Sequence, residues 1–239
     1  MVTDALDVED NVGGVCLDKN AFQKCDHAPK VRAMASLAQV CGLLLLSMFS
    51  PILGPAVHAS PPPQAEWRIA FEAGFFQPGV RVPLPDAKKT FLTAGIYKDG
   101  EFTGFTKKEW EGFALEWEAF AKAARRNAES DWEFLEIRFK RDRREVVQYA
   151  EIISRKGTAG CCVLTEGFGT RFFETMGDSF LFAVPSRQQC FVFPKLAGNT
   201  AVYSDMVHAA YRASSNPISV ELFEWDKGVI KAVGVFERP

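Results

Sequence analysis

The sequence predicts an α+β fold: a mostly antiparallel sheet with helices on one face, built from successive helix–strand–strand units. Two observations predict this architecture. Segments whose apolar residues recur at three- and four-residue steps, the helical period, are each followed by two short runs rich in β-branched and aromatic residues. Short polar turns separate the two runs of each pair, as expected for antiparallel neighbours. Helices packed on one face of such a sheet would bury the apolar face of the sheet and the apolar faces of the helices themselves.

A leader is predicted over residues 1–59. Its central part, residues 33–57, contains no charged residue and follows Lys30 and Arg32. The leader ends in Val57-His58-Ala59, so a positive flank, an apolar run and a small-x-small ending stand in the order of a secretory signal peptide. We therefore expect a bacterial protein that is exported to the periplasm or outside the cell, with a mature chain that begins directly after the leader.

The alternative is an N-terminal transmembrane helix that stays uncleaved, since about 20 apolar residues span a bilayer. Helix breakers in the second half of the apolar run disfavour this alternative; they are Pro51, Gly54 and Pro55. The acidic lead over residues 1–29 is atypical of a signal peptide, so we expect translation to begin near Val31 or Met34. After cleavage we expect no stable membrane insertion.

A Pro-rich segment over residues 60–90 is expected to follow the leader and to precede a single α+β domain over residues 91–239. Strands are predicted at 66–71 and 88–97, where β-branched and aromatic residues cluster. The Pro- and Gly-rich stretch 77–87 separates these two strands and is predicted to be irregular.

The strongest helix prediction covers residues 106–130. Thr106 can cap its N-terminus, and Glu109 completes a capping box three residues later. Apolar residues at helical spacing predict one broad face turned to the core; they are Trp110, Phe113, Trp117, Phe120 and Ala124.

Three strand pairs follow along the chain, each predicted to form a hairpin. They lie at 131–140 with 145–154, at 179–185 with 189–195, and at 218–226 with 229–237. The charged stretch 141–144 in the first hairpin is interpreted as a solvated turn rather than a polyanion site. Asp226-Lys227-Gly228 marks the last turn, because glycine readily adopts the positive φ that tight hairpin turns require.

Two further helices are predicted between these hairpins, at 160–178 and 199–214. Gly167 and Gly169 lie within the first helix and indicate a bend or close packing, because glycine weakens a helix by about 1 kcal/mol relative to alanine. The inward face of the second helix is predicted to carry Val202, Met206, Ala209 and Ala210.

Charge and composition exclude several classes of partner. Four of the 28 basic and six of the 30 acidic residues precede position 60, which leaves 24 of each and no net charge after the leader. A neutral domain gives no reason to expect nucleic acid or an anionic membrane as partner. With 47% hydrophobic and 13% aromatic residues the chain can form a packed core. The expected partner is therefore an unknown protein or small ligand.

No metal and no cofactor are expected. His27 and His58 leave with the leader, so His208 is the only histidine of the mature domain, and neither His-x-His nor Cys-x-x-Cys spacing occurs there. The stretch 167–169 lacks the Lys-Ser/Thr of a phosphate-binding loop.

Three cysteines remain after the leader: Cys161, Cys162 and Cys190. An exported domain meets an oxidising compartment, where cysteines pair if the geometry allows. Adjacent helical residues point about 100° apart, so at most one of the first two can face Cys190. Cys162–Cys190 is the candidate disulfide, because the helical stripe turns Cys161 to the core. The alternative is that all three are buried free thiols, which behave as small hydrophobic side chains.

His208 and Asp205 are the candidate catalytic residues. On the predicted helix Asp205 precedes His208 by three residues and Tyr211 follows by three, so the three side chains can share one face. An imidazole oriented by a carboxylate can act as a general base. The alternative, which we favour, is an ordinary surface histidine beside an acid, since no Gly-x-Ser-x-Gly motif supplies a nucleophile.

A set of features in residues 177–236 resembles a known family. They are an apolar strand ending in Val184-Pro185, a helix carrying Met206, a Pro217-Ile218 opening to a strand, and a closing hairpin around Gly228. These features, with the helix at 106–127 and its following strands in matching order, resemble the YtpQ-like family of bacterial proteins of unknown function. The resemblance covers about residues 90–237, implies an α+β fold, and brings no catalytic residues. Gln188 stands where that family tends to place an acid.

Three functions are compatible with the sequence. The first is a non-catalytic binding or interaction domain of the cell envelope, which predicts an exposed aromatic patch around Trp67, Phe75 and Phe76. The alternative is a hydrolase that uses His208 with Asp205, which predicts a pocket that holds His208 beside a Ser or Cys. The third is a homo-oligomer that assembles through open sheet edges.

Overall fold

A computed structural model describes residues 60–197 and 200–237. These residues belong to one compact unit. The leader over residues 1–59 lies outside the described residues, so its cleavage, the start near Val31 or Met34 and the uncleaved anchor all stay predictions.

The α+β class is confirmed, with antiparallel strand pairing throughout the described residues. The strands are β1 Trp67–Ala73, β2 Val82–Pro83, β3 Thr90–Lys98, β4 Glu101–Gly104, β5 Leu135–Arg141, β6 Val147–Ser154, β7 Ser179–Ala183, β8 Gln189–Pro194, β9 Glu221–Asp226 and β10 Val229–Val235. The helices are α1 Lys107–Phe113, α2 Trp117–Ser130, α3 Ala159–Cys162, α4 Glu166–Met176 and α5 Ser204–Ala213.

The strands form two sheets. In the smaller sheet β3 pairs with β1 along one edge and with β2 and β4 along the other. The larger sheet has six strands in the order β10-β9-β7-β8-β6-β5. Each of the three predicted hairpins forms, as β5–β6, β7–β8 and β9–β10, and a helix precedes each one in the chain.

The segment over residues 60–90 is part of the domain rather than a separate lead-in. Strand β1 pairs with β3 over its whole length, from Trp67 with Ile96 to Ala73 with Thr90. Every residue of β1 is buried. The buried Arg68 also binds the carboxylate of Asp131 through two hydrogen bonds, of 2.9 and 3.2 Å, which ties β1 to the end of α2.

The larger sheet is covered on both faces, whereas the sequence predicted helices on one face. Alternate residues of its strands enter two different apolar clusters, as the period of two requires. Phe180 and Phe182 of β7 pack in the main core with α4, and Ala183 packs with Val207 of α5 in a second cluster. The central strands β7 and β8 are apolar on both sides, so both faces of the sheet need a cover there.

The long predicted helix at 106–130 is two helices. Thr106 caps α1 through the predicted capping box with Glu109. The helix then stops at Ala114, which has the left-handed φ of 51° and donates its N–H to the Glu111 carbonyl. The turn changes the direction of the chain, and Trp110 and Trp117 both contact Phe120. The ring centroids of Trp110 and Trp117 lie 5.3 and 6.2 Å, respectively, from that of Phe120.

The inward face of α5 differs from the prediction. Val202 lies outside the helix and is 69% exposed, and Ala209 is exposed. Ser204, Val207 and His208 are the buried residues of α5, while Met206 and Ala210 pack at the margin of the second cluster. The helix begins at Ser204, so Val202 precedes it. The predicted inward face, which was counted from Val202, is therefore rotated relative to the observed one.

The described helices are all too short or too polar to span a bilayer.

Candidate functional site

A cavity of about 640 Å³ lies between the smaller sheet, α5 and the end of β10. Its wall comes from segments far apart in the chain: the turn after β1, the residues before β3, one side of α5, the stretch before β9, and the end of β10. Two other cavities among the described residues hold about 340 and 120 Å³. A volume of 300–1,000 Å³ is typical of sites for small molecules.

Apolar and aromatic side chains form much of the cavity wall. They are Phe75, Tyr211, Ile218, Val220, Val235 and Phe236. Phe75 is 67% exposed and packs on the 50% exposed Phe76, with ring centroids 5.0 Å apart. The sequence predicted an aromatic patch here that included Trp67, but Trp67 is buried and stacks on Phe120 instead.

A buried carboxylate fixes the backbone at one side of the cavity. Glu221 Oε1 accepts hydrogen bonds from the backbone N–H groups of Lys88 and Lys89, at 2.8 and 3.1 Å. Its other oxygen, Oε2, accepts from the Thr90 hydroxyl at 2.6 Å. The Gly74 N–H donates to the Lys89 carbonyl at 2.6 Å, and a Cβ on Gly74 would lie only 2.9 Å from that oxygen. Glycine is therefore required for this close approach.

The two lysines bring unpaired positive charge to the cavity. Lys88 and Lys89 are exposed, and neither forms an ion pair with another described residue. Glu221 accepts from two backbone N–H groups and one hydroxyl, and no hydrogen bond joins it to either ammonium group. Glu237 is the acidic residue among those that line the cavity. With His208 neutral, the lining groups carry a formal net charge of +1.

His208 lies in the cavity wall and is 6% exposed, so it is not the surface residue that the sequence favoured. Its Nε2 lies 3.0 Å from the Phe236 carbonyl oxygen. A carbonyl oxygen only accepts, so Nε2 carries the proton and donates, and in the neutral ring Nδ1 is an acceptor. His208 thus links α5 to the segment after β10.

The predicted pair of His208 with Asp205 does not form. Asp205 is exposed on the first turn of α5, and no hydrogen bond joins it to the ring of His208 among the described residues. Ser219 does line the same cavity as His208, but its Oγ accepts from the Glu221 N–H at 3.0 Å and makes no hydrogen bond to the imidazole. Among the described residues, His208 therefore has neither an orienting carboxylate nor a hydrogen-bonded hydroxyl.

The candidate disulfide between Cys162 and Cys190 is absent, because Cys161, Cys162 and Cys190 are all free and buried. The thiol of Cys162 points to the Ala128 carbonyl at 3.5 Å, and that of Cys190 to the Phe191 carbonyl at 3.8 Å. Burial raises the pKa of Cys161 to about 12 and raises the pKa of the other two thiols as well. None of them is a nucleophile near neutral pH.

Within residues 60–197 and 200–237, no three His, Cys, Asp or Glu side chains are grouped so that they could hold a metal ion. The site is a largely apolar cavity whose lining includes Lys88 and Lys89, neither of which forms an ion pair with a described residue.

The chain matches no known family, no curated protein and no solved structure. The resemblance to the YtpQ-like family thus rests on the quoted residues alone and stays a proposal.

The sequence identified His208 and Tyr211 of this cavity by their spacing on one helix face, and Phe75 by its expected exposure. It missed Lys88, Lys89 and Glu221. The pair of adjacent lysines before a strand is visible in the sequence, but such pairs are common at strand ends. Glu221 has no local signal, because its partners lie about 130 positions away along the chain.

Proposed function

We propose that this domain is a non-catalytic binding protein of the cell envelope, and that it holds a small amphipathic molecule in the His208 cavity. The observation that carries the proposal is the cavity of about 640 Å³, with six apolar or aromatic residues and a few polar groups in its wall. Concave sites of this size, mostly apolar with few polar groups, are typical of small-molecule binding. The location in the envelope is part of the proposal and rests on the leader that the sequence predicts over residues 1–59.

The test is binding of a neutral apolar fluorophore, Nile red, to the full chain and to a matched pair of variants. Val233 and Val235 both lie on β10 and both are 44% exposed, but only Val235 is among the residues that line the cavity. We expect Val235→Trp to narrow the cavity and weaken Nile red binding several-fold, while Val233→Trp leaves binding unchanged. Both variants carry the same predicted leader, so any Nile red that its apolar run binds is the same in both and does not affect the comparison.

Equal binding by the two tryptophan variants, or no saturable binding by the unmodified chain, would refute the proposal. Circular dichroism and thermal unfolding of both variants show whether they retain the fold.

One observation favours the hydrolase as second candidate: His208 and Ser219 line the same cavity. Against it stand the missing Asp205 contact and the engagement of Ser219 with the Glu221 N–H. Turnover of p-nitrophenyl decanoate that Ser219→Ala abolishes would establish the hydrolase and displace the proposal of a non-catalytic domain.

A further inference from the structure

We infer that the cavity selects an organic acid, and that the carboxylate of this ligand binds the ammonium groups of Lys88 and Lys89. This inference rests on the proposed function, since it names the ligand class of the same cavity. It adds a charge requirement that an apolar cavity alone does not impose.

The argument begins with the fixed position of the two lysines. Both backbone N–H groups donate to the same oxygen of the buried Glu221, and Thr90 next to them donates to its other oxygen. The Lys89 carbonyl accepts from Gly74, which also lines the cavity. The backbone of Lys88 and Lys89 is thus held by hydrogen bonds to Glu221 and to Gly74. These bonds keep the start of both lysine side chains beside the cavity.

The second step concerns charge. Glu221 accepts three hydrogen bonds, none of them from an ammonium group, and neither Glu221 nor Glu237 forms an ion pair with Lys88 or Lys89. Both lysines line the cavity and neither forms an ion pair with a described residue, so both ammonium groups are available to an anion that binds there. Charge-assisted hydrogen bonds are the stronger kind, and partial exclusion from water by the apolar wall strengthens them further.

The third step separates a carboxylate from a phosphate. Phosphate sites typically use helix N-termini or glycine-rich loops, whose several N–H groups match the oxygens of the phosphate, whereas arginine forks bind carboxylate and phosphate alike. Neither arginine nor the start of a helix contributes to this cavity wall. Two lysines supply compact charges for a single anionic group, and the apolar wall accommodates the rest of an amphipathic acid.

The experiment measures displacement of Nile red from the full chain by three ligands with the same tail: decanoate, decanol and decyl phosphate. The variants are Lys88→Gln/Lys89→Gln and the control Lys107→Gln/Lys108→Gln, an adjacent exposed lysine pair at the start of α1 that does not line the cavity. We expect the unmodified chain to prefer decanoate over decanol by about tenfold, which corresponds to one charge-assisted contact.

In the Lys88/Lys89 variant, decanoate affinity should fall about tenfold, to the level of decanol, while decanol and Nile red bind as before. The control pair should leave all affinities unchanged. Equal binding of decanol and decanoate by the unmodified chain would overturn the inference and leave the proposed function standing. If the unmodified chain does not bind Nile red saturably, the proposed function and the inference are both refuted. Tighter binding of decyl phosphate than of decanoate would overturn the carboxylate assignment.

Discussion

At the scale of single residues, buried acids do the most to organise this protein. Glu221 holds the lysine segment at the cavity, and Glu224, three residues further on β9, is 6% exposed and binds three groups. Its carboxylate forms ion pairs with Lys195 and Lys231 and accepts from the Ser179 hydroxyl. The sequence predicted β9 correctly but gave both acids no role, because the period of a strand does not reveal which charged residues are buried.

The ion pairs of Glu224 predict a pH dependence of stability. The hydrogen bond from Lys195, with those from Lys231 and Ser179, lowers the pKa of Glu224 from 4.5 to about 2. The unfolded chain then binds more protons than the folded chain between about pH 4.5 and 2, so the stabilisation is complete above pH 4.5 and is lost as the pH falls towards 2. Urea unfolding of the full chain across this range should show the loss.

The variant Glu224→Gln lacks the titrating carboxyl group. As the pH falls from 4.5 to 2, the free energy of unfolding of this variant should therefore decrease less steeply than that of the unmodified chain. Glu118→Gln is the matched control, because Glu118 is exposed on α2 and forms no ion pair with a described residue. Parallel pH profiles for the unmodified chain and Glu224→Gln would contradict this account.

At the scale of elements, the sequence predicted where helices and strands occur, but not where helices break. The break at Ala114 depends on a left-handed φ of 51° that alanine adopts only at a cost. The aromatic stripe itself is continuous across the break, since Trp110, Trp117 and Phe120 form one cluster. Tertiary packing of these rings decides the turn, and a periodicity within one segment cannot show it.

The two glycines of α4 were predicted to mark a bend or close packing, and close packing is what they provide. The Gly167 N–H donates to the Glu129 carboxylate at 3.1 Å. Gly169 faces the indole of Trp225, and a Cβ there would lie 2.2 Å from Trp225 Cζ2. Trp225 in turn stacks on Phe180 with ring centroids 4.9 Å apart. The glycine lets α4 approach the larger sheet.

Gly169→Ala should therefore destabilise the protein by about 1–3 kcal/mol, the usual result of inserting a methyl group into a filled core. The tryptophan fluorescence of the folded state should also shift, because the indole of Trp225 has to move. Gly112→Ala on α1 is the matched control: no atom lies within 4 Å of its Cβ position. That variant should gain up to about 1 kcal/mol, since alanine favours a helix over glycine. The same loss of stability in both variants would contradict the packing argument.

At the scale of the whole molecule, the sequence predicted the order of the units but not their assembly. Three helices each precede a hairpin, as expected, and the hairpins join into one sheet. The second sheet was missed because a strand pattern shows which face is buried, not what covers it. For the same reason the cavity was missed: its wall combines segments from residues 74 to 237.

The outer edge of β5 bears on self-assembly through sheet edges. Residues 138–141 of this strand are exposed and read Arg-Phe-Lys-Arg, and Arg138 pairs with Glu136 of the same strand. Charged side chains on an edge strand disfavour pairing with a second copy. Self-assembly through sheet edges therefore stays a proposal, and we do not expect the outer edge of β5 to form the contact between two copies.

The free thiols give a prediction for the folded molecule as a whole. Alkylation of the native protein at neutral pH should leave Cys161, Cys162 and Cys190 unmodified, because they are buried and burial raises the pKa of each thiol. Alkylation in denaturant without reductant should modify all three, as peptide mapping by mass spectrometry would show. A disulfide-linked pair of peptides containing Cys162 and Cys190 would contradict the structure.

The contact between Glu221 and Lys88 spans 133 positions of the chain. During synthesis, the first sheet can pair as soon as residue 98 is available, since β1 and β3 are near neighbours. Glu221, the acid that anchors Lys88, is synthesised only 123 residues beyond residue 98. A chain that ends before Glu221 could still pair β1 with β3, but it would lack the carboxylate that holds the backbone of Lys88 and Lys89 beside the cavity.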